Sequence, residues 1–135
     1  MAPPPAQTDN AFPKVLVVED EPSLRFFISD FLTHDHGLEV VEAETGDQAL
    51  AMLQHDKDIG CVFTDVRMPG KLDGIALSKL VRQDHPGVKV LVTSGHLSAS
   101  EASNFPFVAK PYNLGQVADL IQEMIRSLGP RRTDK

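Results

Sequence analysis

Short apolar runs alternate with amphipathic segments five times along this chain, and this alternation restricts the fold more than any other feature. The runs read as strands, and they are Lys14–Val18, Leu38–Ala43, Ile59–Thr64, Val88–Val92 and Phe105–Ala109. Apolar residues with helical spacing follow each of them. Strands that alternate with helices form a parallel sheet covered on both faces. The sequence therefore predicts an open α/β fold, in which ligands bind at the carboxyl ends of the strands.

Capping and stop signals bound the predicted helices. Pro22 suits the first turn of the first helix, and Thr45, Asp73 and Asn113 suit the caps of later ones. Only residues 97–104 remain for a fourth helix, which is therefore predicted to be short, about two turns at ~3.6 residues each. The residues expected to face the core are Leu24, Phe27, Ile28, Phe31 and Leu32 in the first helix and Ile75, Ala76 and Leu80, with Leu77 as a further candidate, in the third.

Composition indicates one globular domain between two tails. Residues 1–13 are rich in proline and alanine and show no apolar period, so we expect a disordered tail there. Residues 14–128 carry the strands and helices, and residues 129–135 form a short polar tail. The chain has 135 residues, which suffices for one domain with a core.

Charge and cysteine content narrow the function classes. A net charge of −6 argues against nucleic acid as a direct partner. No apolar run is long enough to span a membrane, and the N-terminus lacks the regions of a secretory signal. Cys61 is the only cysteine, which excludes an internal disulfide, and its apolar strand predicts a buried thiol. We expect a cytoplasmic protein.

Charged and hydroxyl side chains follow or end four of the predicted strands. Glu19 and Asp20 follow the first strand, Asp65 the third and Lys110 the fifth, and Thr93 ends the fourth. If the strands are parallel, these side chains gather at one edge of the sheet, where three carboxylates repel one another and need a cation. Oxygen ligands of this kind suit Mg²⁺. Acids in place of a glycine-rich loop after the first strand argue against a flavin or dinucleotide site.

This set of residues is suited to phosphoryl chemistry. The carboxylate of Asp65 can attack phosphorus and form an acyl phosphate, provided that a metal offsets the charge repulsion. Lys110 then balances a phosphoryl oxygen as a point charge, and Thr93 offers a hydroxyl donor. Taken singly, each residue is more often a cap, a solvated lysine or a backbone-bonded hydroxyl. Together, at successive strand ends, they favour the phosphoryl-transfer interpretation.

The motifs as a set resemble the receiver domains of two-component response regulators, in the manner of the single-domain chemotaxis regulator. The resemblance runs from about Lys14 to Leu128, and its motifs are Val-Val-Glu-Asp-Glu-Pro, Thr-Asp-Val-Arg-Met-Pro-Gly with Leu-Asp-Gly after it, Val-Thr-Ser-Gly and Ala-Lys-Pro-Tyr. It implies a flavodoxin-like, doubly wound five-stranded parallel sheet with strand order 2-1-3-4-5. It also implies Mg²⁺ as cofactor and a sensor histidine kinase or histidine phosphotransfer protein as phosphodonor, with an unknown downstream protein partner.

The resemblance assigns a role to each site residue. These are Asp65 as phosphoacceptor, Asp20 as direct metal ligand, Glu19 as the acid that helps to hold the metal, the backbone carbonyl of Arg67 as the third protein ligand, Thr93 as switch hydroxyl, Lys110 as the lysine that pairs with the phosphoryl group, and Phe107 as the aromatic switch. Three features depart from the family pattern. The first acid is Glu19 where aspartate is commoner, Phe107 lacks a tyrosine hydroxyl, and the fourth helix is short.

Several functions remain open on the sequence. The leading one is a single-domain phosphoacceptor that signals by phosphorylation-dependent partner binding or drains phosphate from other regulators, because residues 129–135 hold no output domain. Phosphatases and mutases with an aspartyl nucleophile use a second aspartate two residues later, where this chain has Arg67, so an independent enzyme is disfavoured beyond self-catalysed phosphoryl transfer and slow autodephosphorylation. The alternatives are a receiver domain of a hybrid histidine kinase and a pseudo-receiver that binds partners unphosphorylated. Arg67 has two readings: a solvated loop arginine, or a guanidinium that pairs with Glu19 or Asp65.

Overall fold

The computed structural model describes residues 12–67, 70–95 and 105–130, apart from the side chain of Ser94. Within them, five parallel strands form one sheet in the order β2-β1-β3-β4-β5. The strands are β1 Lys14–Val18, β2 Val40–Ala43, β3 Ile59–Asp65, β4 Lys89–Ser94 and β5 Phe107–Ala109. The predicted flavodoxin-like sheet and its strand order are therefore confirmed.

Four helices connect or follow these strands in the described residues. They are α1 Pro22–His36, α2 Gly46–His55, α3 Gly74–Asp84 and α4 Leu114–Leu128. The side chains of Thr45, Asp73 and Asn113 cap α2, α3 and α4 as expected, each accepting a hydrogen bond from a first-turn amide. Pro22 begins α1, and Glu21 caps that helix in a role the sequence did not reveal. The predicted short fourth helix lies outside the described residues.

The sheet separates two apolar layers because successive side chains of a strand point to opposite faces. Leu16 and Val18 of β1 face α2 and α3, whereas Val15 and Val17 face α1 and α4. All four valine and leucine side chains are at most 1 % exposed. Cys61 lies in the second layer, and burial raises the pKa of its thiol to about 12. The predicted buried thiol is confirmed, and a parallel sheet covered on both faces explains the nearly continuous apolar runs of its strands.

Helix α3 buries only part of the face that was predicted: Leu77, the further candidate, is fully buried, and Ile75 packs against the core. Its buried residues are Gly74, Leu77, Ser78 and Val81, while Ile75, Ala76 and Leu80 are only half-buried. The reason is a close approach: a Cβ atom at Gly74 would overlap the backbone of Asp65, and it would stand 2.8 Å from the Cα of Val66. Two small residues thus face the sheet, which a count of apolar positions alone does not detect.

The structure also differs from the sequence-based expectations in the burial of Phe27 and Pro13. Phe27, expected to face the core from α1, is 60 % exposed, so that prediction is wrong. Pro13, expected at the end of the tail, is buried, and its ring lies where a side chain at Gly60 would be. No helix in the described ranges has the length and apolar character needed to cross a membrane.

Candidate functional site

The predicted site residues meet at the carboxyl edge of the sheet. Asp65 is the last residue of β3, and Thr93 pairs with it in register on β4. Glu19 directly follows β1, and Lys110 directly follows β5. The parallel arrangement brings these side chains to one edge because each strand ends there.

Asp65 and Lys110 form the central contact of this edge. The Lys110 Nζ atom lies 2.9 Å from Asp65 Oδ2, and the two side chains are 12 % and 31 % exposed, respectively. The other carboxylate oxygen, Oδ1, accepts a long hydrogen bond of 3.4 Å from the backbone amide of Arg67. A carboxylate with one strong partner and one weak partner retains an oxygen that can accept another ligand.

Glu19 is the most enclosed acid of the site. It is 6 % exposed, and its Oε2 atom accepts a hydrogen bond of 3.1 Å from the Glu21 amide. Burial raises the pKa of this carboxyl, and the charges of Asp65 and Asp20 raise it further, while the Glu21 amide and Lys110 lower it. The Glu19 carboxylate therefore lacks enough positive charge around it to offset its burial. Asp20, the next residue, is exposed to solvent.

The donor chemistry of the acids fits a hard cation such as Mg²⁺. Glu19, Asp20 and Asp65 offer carboxylate oxygens. The pKa of Glu19 is raised first by burial and then by the charges of Asp65 and Asp20, and a cation would offset these effects. Among the described residues, however, no three histidine, cysteine, aspartate or glutamate side chains converge as a ready metal site. Lys110 Nζ occupies one oxygen of Asp65 in this arrangement. The acids therefore match Mg²⁺ in their charge and ligand type, and not in a preformed coordination geometry.

The two predicted switch residues occupy different environments. Thr93 is 2 % exposed, and its hydroxyl has no hydrogen-bond partner within the part of the chain that is described. A buried hydroxyl without a partner costs about 1–3 kcal/mol, so a ligand oxygen beside Asp65 would gain a ready donor. Phe107 is half-buried and packs against the apolar layer under α2 and α3. Their switching roles stay predictions.

Arg67 does not make the contacts of the sharper hypothesis. Its side chain is exposed, and the ion pair to Asp65 in the described structure comes from Lys110. Arg67 approaches Asp65 through its backbone amide. The solvated reading of this arginine is therefore favoured.

Two site residues escaped the sequence reasoning. The first is Arg25 on α1, whose Nη1 donates to the Glu19 carbonyl at 2.8 Å and whose Nε donates to Glu42 Oε1 at 3.0 Å. Nothing in its spacing distinguishes it from a solvated helix arginine. The second is Tyr112, whose ring meets Phe63 edge-on, with centroids 5.9 Å apart. Burial, together with the charges of Glu19 and Asp65, raises the Tyr112 pKa to about 12.

An open apolar groove of about 480 Å³ begins beside Lys110. Its walls come from α1 and from the segment that leads into α4, and they are formed by Leu24, Phe27, Ile28, Lys110, Pro111, Tyr112 and Leu114. The groove thus joins a strongly exposed aromatic side chain on α1 to the charged edge of the sheet.

The sequence profile of the response regulator receiver domain matches residues 15–122. The chain therefore belongs to the receiver domain family of the two-component response regulators, as its motifs indicated. It is 32% identical over 117 residues to the DNA-binding transcriptional regulator NtrC of Salmonella typhimurium, covering 82% of this chain and 24% of that protein. It is 34% identical over 118 residues to the sensor kinase CckA of Brucella abortus, covering 82% of this chain and 12% of that protein.

Solved receiver structures agree with this assignment. The crystal structure of a response regulator receiver protein from Sinorhizobium medicae superposes with a TM-score of 0.78 at 25% identity, covering 90% of this chain and 98% of that one. The chain thus spans about a quarter or less of the length of these curated relatives and nearly the whole of an isolated receiver domain.

Proposed function

We propose that this domain accepts a phosphoryl group on Asp65 from a sensor histidine kinase or a histidine phosphotransfer protein, with Mg²⁺ as cofactor. The observation that carries the proposal is the contact of 2.9 Å between Lys110 Nζ and Asp65 Oδ2, beside the buried acid Glu19. This lysine holds a positive charge where a phosphoryl group bound to Asp65 would place its oxygens.

The transfer forms one bond and breaks another. An oxygen of Asp65 bonds to phosphorus as the phosphorus–nitrogen bond of the donor's phosphohistidine breaks, and the electron pair of that bond returns to the imidazole ring. The residues that would hold Mg²⁺ are Glu19, Asp20, Asp65 and, through its backbone carbonyl, Arg67. When bound, the cation supplies positive charge against the repulsion between the carboxylate and the phosphoryl oxygens. Lys110 moves its ion pair from the carboxylate to the new phosphoryl oxygens.

Thr93 and Phe107 carry the proposed response. The Thr93 hydroxyl is buried and has no hydrogen-bond partner in the described structure. Because Thr93 pairs with Asp65 across β3 and β4, a phosphoryl oxygen on Asp65 would give this hydroxyl an acceptor. Phe107 is one residue from Val108, the β5 partner of Thr93. A shift of the threonine therefore reaches the aromatic ring through adjacent strands.

The apolar groove beside Lys110 supports a protein as phosphodonor. Phe26 and Phe27 on α1 are 66 % and 60 % exposed, and Phe27 lines the groove. A donor that delivers phosphate to Asp65 must cover the surface around it, and apolar side chains there give such a protein area to bury. The net charge of −6 supports protein rather than nucleic acid as the direct partner of this domain.

The output is proposed to be phosphorylation-dependent binding of a protein, or drainage of phosphate from other regulators, by a single-domain cytoplasmic protein without independent enzymatic activity. A second candidate function is that of a receiver domain within a hybrid histidine kinase, which the similarity to part of a sensor kinase supports. Its phosphodonor would then be the kinase part of the same polypeptide.

The deciding experiment is phosphorylation by acetyl phosphate, followed by intact mass spectrometry. We expect the gain of one phosphoryl group, dependent on Mg²⁺ and absent from Asp65→Ala. A chain that gains no phosphoryl group under any of these conditions is a pseudo-receiver, and the proposal is then wrong.

A further inference from the structure

The turn that carries Glu19 and Asp20 is held by contacts from three directions. The Glu19 amide donates to the Ala43 carbonyl of β2 at 3.0 Å. Its side-chain Oε2 accepts from the Glu21 amide at 3.1 Å, and its own carbonyl accepts from Arg25 Nη1 at 2.8 Å. Glu19 is thus bonded through its amide, its carbonyl and its carboxylate, and of these three contacts in the described structure only that to the carbonyl comes from another side chain.

Arg25 is itself oriented by a second contact. Its Nε atom donates to Glu42 Oε1 at 3.0 Å, and its side chain is 18% exposed, against 39% for Glu42. Glu42 lies on the edge strand β2, opposite Val17 of β1. The guanidinium therefore joins α1, the end of β1 and β2. Its planar fork allows two hydrogen bonds in fixed directions, which a lysine ammonium at the same position does not reproduce.

We propose that Arg25, oriented by Glu42, is a positioning residue that fixes the Glu19–Asp20 turn for divalent cation binding. The inference rests on the proposed function, because it concerns the same acids. Residues that orient metal ligands from behind typically change metal affinity by about 10–100-fold when they are removed. Arg25 stands in that relation to Glu19, since it contacts the backbone carbonyl of the proposed ligand and not its carboxylate.

The direction in which the Mg²⁺ affinity changes when Arg25 is removed distinguishes a positioning role of this residue from an effect of its charge. A guanidinium beside the Glu19–Asp20 turn repels a cation that binds there, so removing Arg25 would strengthen Mg²⁺ binding if charge alone mattered. Removing it weakens Mg²⁺ binding if its role is to hold the turn. A residue that only stabilises the fold changes the unfolding temperature and leaves the affinity of the folded protein unchanged.

The test is a titration of the whole chain with MgCl₂, in which the dissociation constant for Mg²⁺ is measured by calorimetry and by the fluorescence emission of Tyr112. The chain has one tyrosine and no tryptophan, and the charges of Glu19 and Asp65 act on that tyrosine, so its emission reports on this edge. The variants are Arg25→Ala, Arg25→Lys and Glu42→Ala. The control is Arg126→Ala, which removes an exposed arginine from the last turn of α4.

We expect the dissociation constant for Mg²⁺ to rise about tenfold in Arg25→Ala, less in Arg25→Lys and Glu42→Ala, and not at all in Arg126→Ala. Unchanged or tighter binding in folded Arg25→Ala overturns the inference, as does a parent chain that binds no Mg²⁺. If Arg25→Ala does not fold, the same comparison is decided by Arg25→Lys and Glu42→Ala.

The proposed function fails separately. If the parent chain binds Mg²⁺ with the expected dependence on Arg25 but acetyl phosphate adds no phosphoryl group, the positioning role stands and the phosphoacceptor role does not. If phosphorylation proceeds and the Arg25 variants bind Mg²⁺ like the parent, the positioning role is overturned alone.

Discussion

Replacing Gly74 by alanine tests the close contact between α3 and the strand end that carries Asp65. A Cβ atom at Gly74 would overlap the Asp65 carbonyl oxygen and would stand 2.8 Å from the Asp65 carbonyl carbon and from the Val66 Cα atom. Ordinary contact begins at 3.4 Å, so α3 or the end of β3 must move by about 0.6 Å or more. The atoms in the way belong to the backbone, so no rotamer change removes the overlap.

The expected loss of stability follows from this displacement. Overpacking of this kind costs about 1–3 kcal/mol, and the better helix propensity of alanine offsets at most ~1 kcal/mol of that. We therefore expect Gly74→Ala to lower the free energy of unfolding by about 1–2 kcal/mol, which lowers Tm by about 4–8 °C in a domain of this size. Because Asp65 moves with the strand end, phosphorylation by acetyl phosphate should slow by about tenfold or more in the folded variant.

The matched control is Gly87→Ala, because a Cβ atom there meets nothing within 4 Å. Its Tm should equal or slightly exceed that of the parent chain, since alanine restricts the unfolded state more than glycine does. Thermal unfolding and the rate of mass gain with acetyl phosphate are measured for both variants. If Gly74→Ala unfolds and reacts like Gly87→Ala, the close approach of α3 to Asp65 is not a constraint, and the reasoning fails.

Three other predictions concern burial and exposure. Burial raises the pKa of Glu19 above 4.5, so ionisation of this carboxyl lowers the free energy of unfolding of the parent chain as pH rises above that value. In EDTA, Glu19→Gln should therefore be more stable than the parent chain at pH 7. Denaturant titrations should show this difference vanishing below about pH 4. The Cys61 thiol, with its pKa raised to about 12, should resist iodoacetamide at pH 8 until the chain is unfolded, as intact mass would show, and rapid native alkylation would contradict its burial. Phe27→Ser should slow phosphorylation by a purified histidine kinase several-fold but leave the acetyl phosphate reaction unchanged, whereas Phe12→Ser, at the opposite edge of the sheet, should affect neither; equal behaviour of the two variants would argue against the groove as a donor surface.

The parallel sheet and the convergence of the site could be predicted from patterns in the sequence, whereas the strand order was predicted from the resemblance to receiver domains. Apolar runs with no polar alternation indicate strands buried on both faces, and parallel strands bring their carboxyl ends to one edge whatever the details of packing. Asp65 and Lys110 could therefore be placed together before their contact was seen. Helix caps at Thr45 and Asp73 were equally predictable, because a cap depends on neighbouring residues.

Helix orientation was less predictable. Leu80 of α3 was expected in the core and is half-buried, because Gly74 and Ser78 face the sheet instead. Phe27 was expected in the core of the other layer and is exposed. Apolar periodicity reports which residues avoid water on average, and it carries no information about how closely a particular helix approaches a particular strand.

The sequence by itself determined the fold class and the set of reactive groups, since both follow from local patterns and from the direction of parallel strands. Only the tertiary structure decided which side chains hold those groups in place. Arg25 reaches the Glu19 carbonyl and Glu42 across three elements, and Tyr112 lies against Phe63 near the acids. Contacts between residues distant in the chain depend on how the elements pack, and for this reason the support of the site became visible only in three dimensions.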